Sequence, residues 1–201
     1  MNIEYLIEQV SAAAAQAGLE FTQSEHLPQR NGSFDAVPAE LNPTLYRFLN
    51  NRYSDGLYGH QTAAIQSVLD GNDVCLATPT ASGKSLVFMT AAADIALTGT
   101  NETTLAIYPI KALIQDQKDK WKTILEPLGL CVGYIDGSVD TSQRLSILSR
   151  NRIILMTPDV LHAWLMSNLG KTEVAAFVKN LRLLILDEAH SYSGVFGSNM
   201  A

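Results

Sequence analysis

Apolar runs and helically spaced stretches alternate along the chain. Residues 3–18 (IEYLIEQVSAAAAQAG) set Ile3, Leu6, Ile7, Val10 and Ala14 three or four positions apart, which predicts an amphipathic helix stopped by Gly18. Residues 22–40 carry Pro28, Gly32 and Pro38 and keep no period, so they read as a linker or a surface-hugging segment. Helical spacing returns over 43–51 and 60–70, and Gly71 closes the second stretch. Beyond it, short apolar runs at 74–77, 104–108, 131–135, 152–156 and 181–186 predict strands. They are near-continuous and not alternating, the pattern of parallel strands covered on both faces. Helical stretches at 84–97, 112–125 and 141–149, and the pair 158–168 and 173–179, separate the strands. Repeated β-α order implies right-handed crossovers and an α/β fold with a doubly wound, mostly parallel sheet. The expected organisation is a helix and linker over residues 1–40, then one α/β domain over 41–201.

Composition narrows this picture. Of 201 residues, 47% are hydrophobic and 17% charged, which excludes a disordered chain and supplies a core. The formal charge of −6 speaks against a dedicated cationic surface for nucleic acid but leaves room for a local positive groove. Cys75 and Cys131 lie in apolar runs and read as buried thiols of a reducing compartment, not as a bridge or a metal framework. The N-terminus lacks a basic-then-apolar leader, and the apolar stretch at 86–97 is interrupted by Asp94 and too short for a bilayer. A cytoplasmic protein without a membrane partner is expected.

The chemistry concentrates in two places. Residues 78–85, TPTASGKS, end like a phosphate-binding G-x-x-x-x-G-K-[ST] loop but put Thr78 and Pro79 where the first glycine belongs. The stretch follows an apolar run and opens a helix, as the chemistry requires. The amides of Thr80, Ala81, Ser82, Gly83, Lys84 and Ser85 would face phosphates, Lys84 would reach the β and γ oxygens, and the Ser85 hydroxyl could ligate Mg²⁺. Pro79 has no N–H and biases Thr78 to extended geometry, so the chain should run straight for two residues before turning. The second place is the end of the last apolar run, Asp187-Glu188-Ala189-His190. This tetrapeptide arises by chance in about one such chain in a thousand, so its company with a phosphate loop is informative. Asp187 can hold the Mg²⁺ shell while Glu188 orients and deprotonates water, an arrangement for hydrolysis more than for transfer.

With PTASGKS and DEAH in this order, the chain resembles the first RecA-like domain of superfamily-two DExD/H-box helicases, and its residues 35–201 look like the MrfA-type, YprA-like branch of bacterial DNA helicases. The resemblance implies ATP and Mg²⁺ as cofactors, and Gln61 of the stretch LYGHQ as the reader of the adenine edge. It makes Lys111 (in YPIKAL), Asp136-Gly137 and Thr157 (in MTPD) contacts to a nucleic-acid backbone, single-stranded DNA rather than RNA. His190 is implied to couple the ATP and nucleic-acid sites, and residues 192–197 to form a loop beside the ATP site. The aromatic that stacks on adenine in DEAD-box relatives would fall at Thr44, which leaves Tyr58 as a weak substitute. In the family a second RecA-like domain carrying arginine fingers completes the cleft, so these residues alone are expected to bind ATP weakly and hydrolyse it poorly. Two other readings stay open on the residues alone: a nucleotide-binding regulatory module with the N-terminal helix on a partner, and a small-molecule kinase, against which Glu188 counts.

Overall fold

In a computed structural model, which describes residues 3–19, 32–78 and 82–192, the chain forms two compact units, 1–32 and 33–201. The first holds helix α1 (Ile3–Gln16). The second contains everything that bears on function. No helix among the described residues is long and apolar enough to cross a membrane.

The second unit is built on four parallel strands, β3 (Thr103–Ile107), β4 (Val132–Ile135), β5 (Ile153–Met156) and β6 (Leu181–Leu186), in the order β4-β5-β3-β6. Leu105 lies opposite Ile154 on one side and Leu184 on the other. Side chains alternate across a strand, and the two cores record that alternation. Ala106 of β3 with Ile153 and Leu155 of β5 enter one cluster; Leu105, Ile107, Ile154 and Met156 enter the other. Helices α2 (Pro43–Arg52), α3 (Gly59–Leu69), α4 (Lys84–Thr98) and α5 (Lys111–Leu125) cover the first face. The second face is covered by α6 (Thr141–Arg150), α7 (Pro158–Val160) with its π-helical continuation Leu161–Leu165, and α8 (Thr172–Lys179). This is the doubly wound arrangement.

Two side chains brace the first face. The indole N–H of fully buried Trp121 donates to the Tyr108 hydroxyl at 2.9 Å, which lets both large rings sit in the core without an unpaired polar atom. Asp94 of α4 accepts the backbone N–H of Asn42 at 2.6 Å and so ties the start of α2 to α4. Burial pushes the Asp94 carboxyl above the ordinary range, against the opposing pull of that Asn42 bond.

Three expectations need correction. Residues 74–77 make no strand: Val74 is exposed, and β6 forms the edge of the sheet. An apolar run counts as a strand only where it pairs, and residues 74–77 pair with neither edge of the sheet, β4 or β6. Cys75, in this unpaired run, is exposed, as is Cys131 just before β4; both thiols are free but neither is buried. Finally, part of the supposed linker is structured. Phe34–Asp35 (β1) pairs antiparallel with Leu57–Tyr58 (β2), and Val37 and Leu41 are buried in the main core.

Candidate functional site

The carboxyl edge of the sheet gathers two constellations. At the first, α4 starts on Gly83, whose φ of +80° is a left-handed conformation that favours glycine. A Cβ at Gly83 would also collide with the Gln61 amide. Gln61, only 4% exposed, accepts the Tyr58 N–H at 3.0 Å through Oε1 and donates from Nε2 to the Gly83 carbonyl at 3.0 Å. His60 donates from Nε2 to the Ser82 carbonyl at 3.0 Å, which requires the proton on that nitrogen. Consecutive residues of α3 therefore grip consecutive carbonyls of the phosphate loop. The sequence reading assigned Gln61 to adenine; the structure makes it an anchor of the phosphate loop.

Thr78 takes over the work of the absent glycine. Its hydroxyl meets the Ser82 hydroxyl at 2.6 Å and its carbonyl accepts from Lys84 Nζ at 2.7 Å, so the two ends of the loop are clasped together. Ser85 Oγ points toward Gln117 Oε1 of α5, 3.5 Å away. Thr80 and Ala81 lie outside the described residues, as do Pro79 and residues 193–197.

The acidic residues follow β6 directly. The Asp187 N–H donates to the Ile107 carbonyl at 3.0 Å, which continues the β3–β6 pairing past the strand end. Burial, then the neighbouring Glu188 charge, holds the Asp187 carboxyl above the ordinary range; the Glu188 N–H, Lys84 and Lys120 pull the other way. That pull places the Lys84 ammonium in the field of Asp187. Glu188 sits at φ +50°, the one non-glycine residue with positive φ among those described. Its carboxylate is 3.3 Å from His190 Nδ1, and both side chains are open to solvent. An exposed Glu beside a half-buried Asp suits a water-handling and a cation-holding role respectively. Ser85 and Asp187 supply hard oxygen donors, and a partly desolvated carboxylate is relieved by a cation, so this pair fits Mg²⁺. Among the described residues no group of three or more His, Cys, Asp or Glu forms a further metal cluster.

The second constellation is a cavity of about 500 Å³ lined by Pro109, Ile110, Lys111, Gly137, Ser138, Thr157 and Asp159. Three of the four residues expected to touch nucleic acid, Lys111, Gly137 and Thr157, thus line one pocket, on the loops that follow β3, β4 and β5. Asp136 does not line it. Its side chain is 2% exposed and turned inward, accepting Ser138 N–H at 2.7 Å and Ser138 Oγ–H at 2.5 Å. Burial alone would raise its carboxyl, but the Ser138 bonds, Lys111 and Gln115 outweigh it and hold the group below the ordinary range. A buried carboxylate would repel a phosphate; Asp136 instead shapes the Gly137-Ser138 turn and holds Lys111 Nζ at 4.0 Å. Ser138 and the exposed Ile110 escaped the sequence reading because neither residue type signals chemistry by itself.

Aromatic rings continue from the first constellation. Phe34 stacks on Tyr58 with ring centres 4.8 Å apart, and Tyr58 on His60 at 5.8 Å. Tyr58 is 41% exposed and Phe34 51%, so both rings of this row keep open surface.

Comparison with known proteins fits this geometry. The sequence profile described as DEAD/DEAH box helicase matches residues 58–201. The chain is 34% identical to the ATP-dependent helicase HRQ1 of Saccharomyces cerevisiae over 87% of its own length and 16% of that protein's. It is 33% identical to YprA of Bacillus subtilis, an uncharacterized ATP-dependent helicase, over 82% of the chain and 22% of that protein. The chain therefore spans about a fifth of these relatives. A crystal structure of the DUF1998 helicase MrfA bound to DNA and AMPPNP superposes with a TM-score of 0.81 at 29% identity, covering 94% of this chain and 27% of MrfA.

Proposed function

The chain belongs to the DEAD/DEAH box helicase family, and we propose that it is the ATP-binding RecA-like domain of an ATP-dependent DNA helicase that moves along a single strand. The observation that carries this reading is the placement of a phosphate-loop lysine and an acidic pair beside a Lys111–Gly137–Thr157 pocket on one sheet edge. The MrfA relative holds DNA and a nucleotide analogue together, which supports the pairing of ligands.

In this reading Lys84 exchanges the Thr78 carbonyl for β and γ oxygens, a short move because the clasp already holds the ammonium across the loop. Amides of the phosphate loop and the start of α4 take the remaining oxygens. Ser85 and Asp187 would hold Mg²⁺, which when bound neutralises charge on the phosphates. Glu188 orients a water and accepts its proton as the water oxygen bonds to the γ-phosphorus, and the bond to the β-γ bridging oxygen breaks. Lys111, the Gly137 and Ser138 amides and the Thr157 hydroxyl grip the DNA backbone, contacts that need no strongly basic surface. His190, against Glu188, is the coupling residue of this scheme, and a second RecA-like domain closes the cleft. The free thiols favour a cytoplasmic setting.

The test uses a protein that joins this chain to a second RecA-like domain. Its ATPase should rise when DNA is added, and Glu188→Gln should stop turnover while ATP and oligonucleotide still bind. Failure of every DNA and RNA to stimulate the ATPase refutes the reading.

A further inference from the structure

Tyr192 is a residue that the chemistry above does not use, yet it lies between the two constellations. It leaves the acidic turn through two backbone bonds, Ser191 N–H to the Glu188 carbonyl at 2.8 Å and its own N–H to the Ala189 carbonyl at 3.2 Å. Its ring then packs on the second core, which contains Ile107 and Met156, the last residues of β3 and β5, and Val160 and Trp164 beyond them. Its hydroxyl donates to the Ile107 carbonyl at 3.1 Å. That same oxygen accepts the Asp187 N–H at 3.0 Å. One peptide group thus receives both the cation-holding acid and Tyr192, and the chain from it runs through Tyr108 into Pro109, Ile110 and Lys111, a wall of the pocket. Tyr108 in turn donates its N–H to the Met156 carbonyl at 3.0 Å, one residue before Thr157 on the opposite wall.

We propose that Tyr192 is a positioning residue that links the acidic turn to the floor of the nucleic-acid pocket, so that nucleotide in one site and a single strand in the other change each other's affinity. The inference rests on the functional reading above. A link of this kind needs an element that both sites bias, and the turn that carries Asp187 and Glu188 and leads into Tyr192 is the one placed for it. Glu188 stands in a left-handed conformation that a non-glycine side chain holds only when its surroundings impose it. Nucleotide engaging Asp187 and Glu188 shifts the balance of that turn, and Tyr192 carries the shift to the Ile107 peptide.

The experiment is a binding cycle on this chain, with a fluorescent AMPPNP analogue plus Mg²⁺ and a labelled oligothymidylate, each titrated with and without the other saturating. Wild type should show one common factor from either direction, in the span of about 5- to 150-fold typical of coupled sites. Tyr192→Phe keeps the ring and its packing and removes only the hydroxyl. It should reduce the factor about three- to tenfold, the worth of one hydrogen bond, while each ligand alone binds within about twofold of wild type. A residue that merely fills the core would lower both lone affinities or neither and leave the factor unchanged; that result overturns the inference. A wild-type factor of one, with both ligands bound, overturns it and leaves the functional reading standing. If wild type binds no oligonucleotide, the inference fails, while the functional reading is decided by the ATPase of the joined protein.

Discussion

Gln61→Ala separates two jobs that one side chain could perform. In the structure the amide is buried and both of its ends are engaged, with the Tyr58 N–H at 3.0 Å and the Gly83 carbonyl at 3.0 Å. The second bond fixes the residue that opens α4 and precedes Lys84. Truncation removes both bonds and leaves a donor and an acceptor to recover what they can from water. At about 0.5–1.5 kcal/mol net for each bond, the pair is worth about 1–3 kcal/mol. If that loss falls on the ligand-ready arrangement of the loop, nucleotide affinity drops roughly 5- to 150-fold. Thermal unfolding should shift down by about 2–4 °C per kcal/mol for a chain of this size. The assay is equilibrium titration with ATP, GTP and inorganic tripolyphosphate. An anchor of the phosphate loop weakens all three, because the damage lies where the phosphates bind. Gln61→Glu should be no better, since it sets an oxygen against the Gly83 carbonyl. If Gln61→Ala weakened ATP alone and left GTP and tripolyphosphate untouched, the side chain would be an adenine reader only, and the anchoring argument would be refuted.

Other outcomes follow from single contacts. Lys111→Ala should weaken oligonucleotide binding about equally across sequences and reduce the salt slope of the affinity by about 0.7–1, as for the loss of one phosphate contact; an unchanged slope in a salt titration would exclude a phosphate partner. Asp94 has its carboxyl raised by burial, so its contribution to stability is full below the ordinary carboxylate pKa and is lost as pH rises through the raised value. Asp94→Asn still offers an oxygen to the Asn42 N–H and does not ionise, so its melting temperature should gain on wild type from acid pH toward neutrality; parallel curves would contradict this. Trp121→Phe forfeits the bond to the Tyr108 hydroxyl and part of a buried ring, and should lower stability by about 1–3 kcal/mol, read from the urea midpoint.

Local chemistry was legible before any coordinates. The strands β3 to β6 and the helices around them follow from apolar runs and helical spacing; β3 and β5 are buried on both faces as their runs predict, whereas β6, which spans its predicted residues, lies at the sheet edge with Leu184 and Leu186 exposed. The Gly83-Lys84-Ser85 tripeptide and the acidic pair were equally plain, since a phosphate loop and a strand-end carboxylate are each built from neighbours in sequence. What escaped depends on partners far along the chain. Residues 74–77 have the composition of a strand, but a strand exists only where it pairs, and these residues pair with neither sheet edge. The two-residue pairing of Phe34–Asp35 with Leu57–Tyr58 is too short to leave a period, yet it sets Phe34 beside Tyr58. Asp136 and Gln61 carried the right residue types at the right places, and only the tertiary structure decided which way they face. A carboxylate or an amide obeys whichever donors the fold brings within about 3 Å, and those donors, Ser138 for one and Tyr58 with Gly83 for the other, are matters of geometry that residue type does not encode.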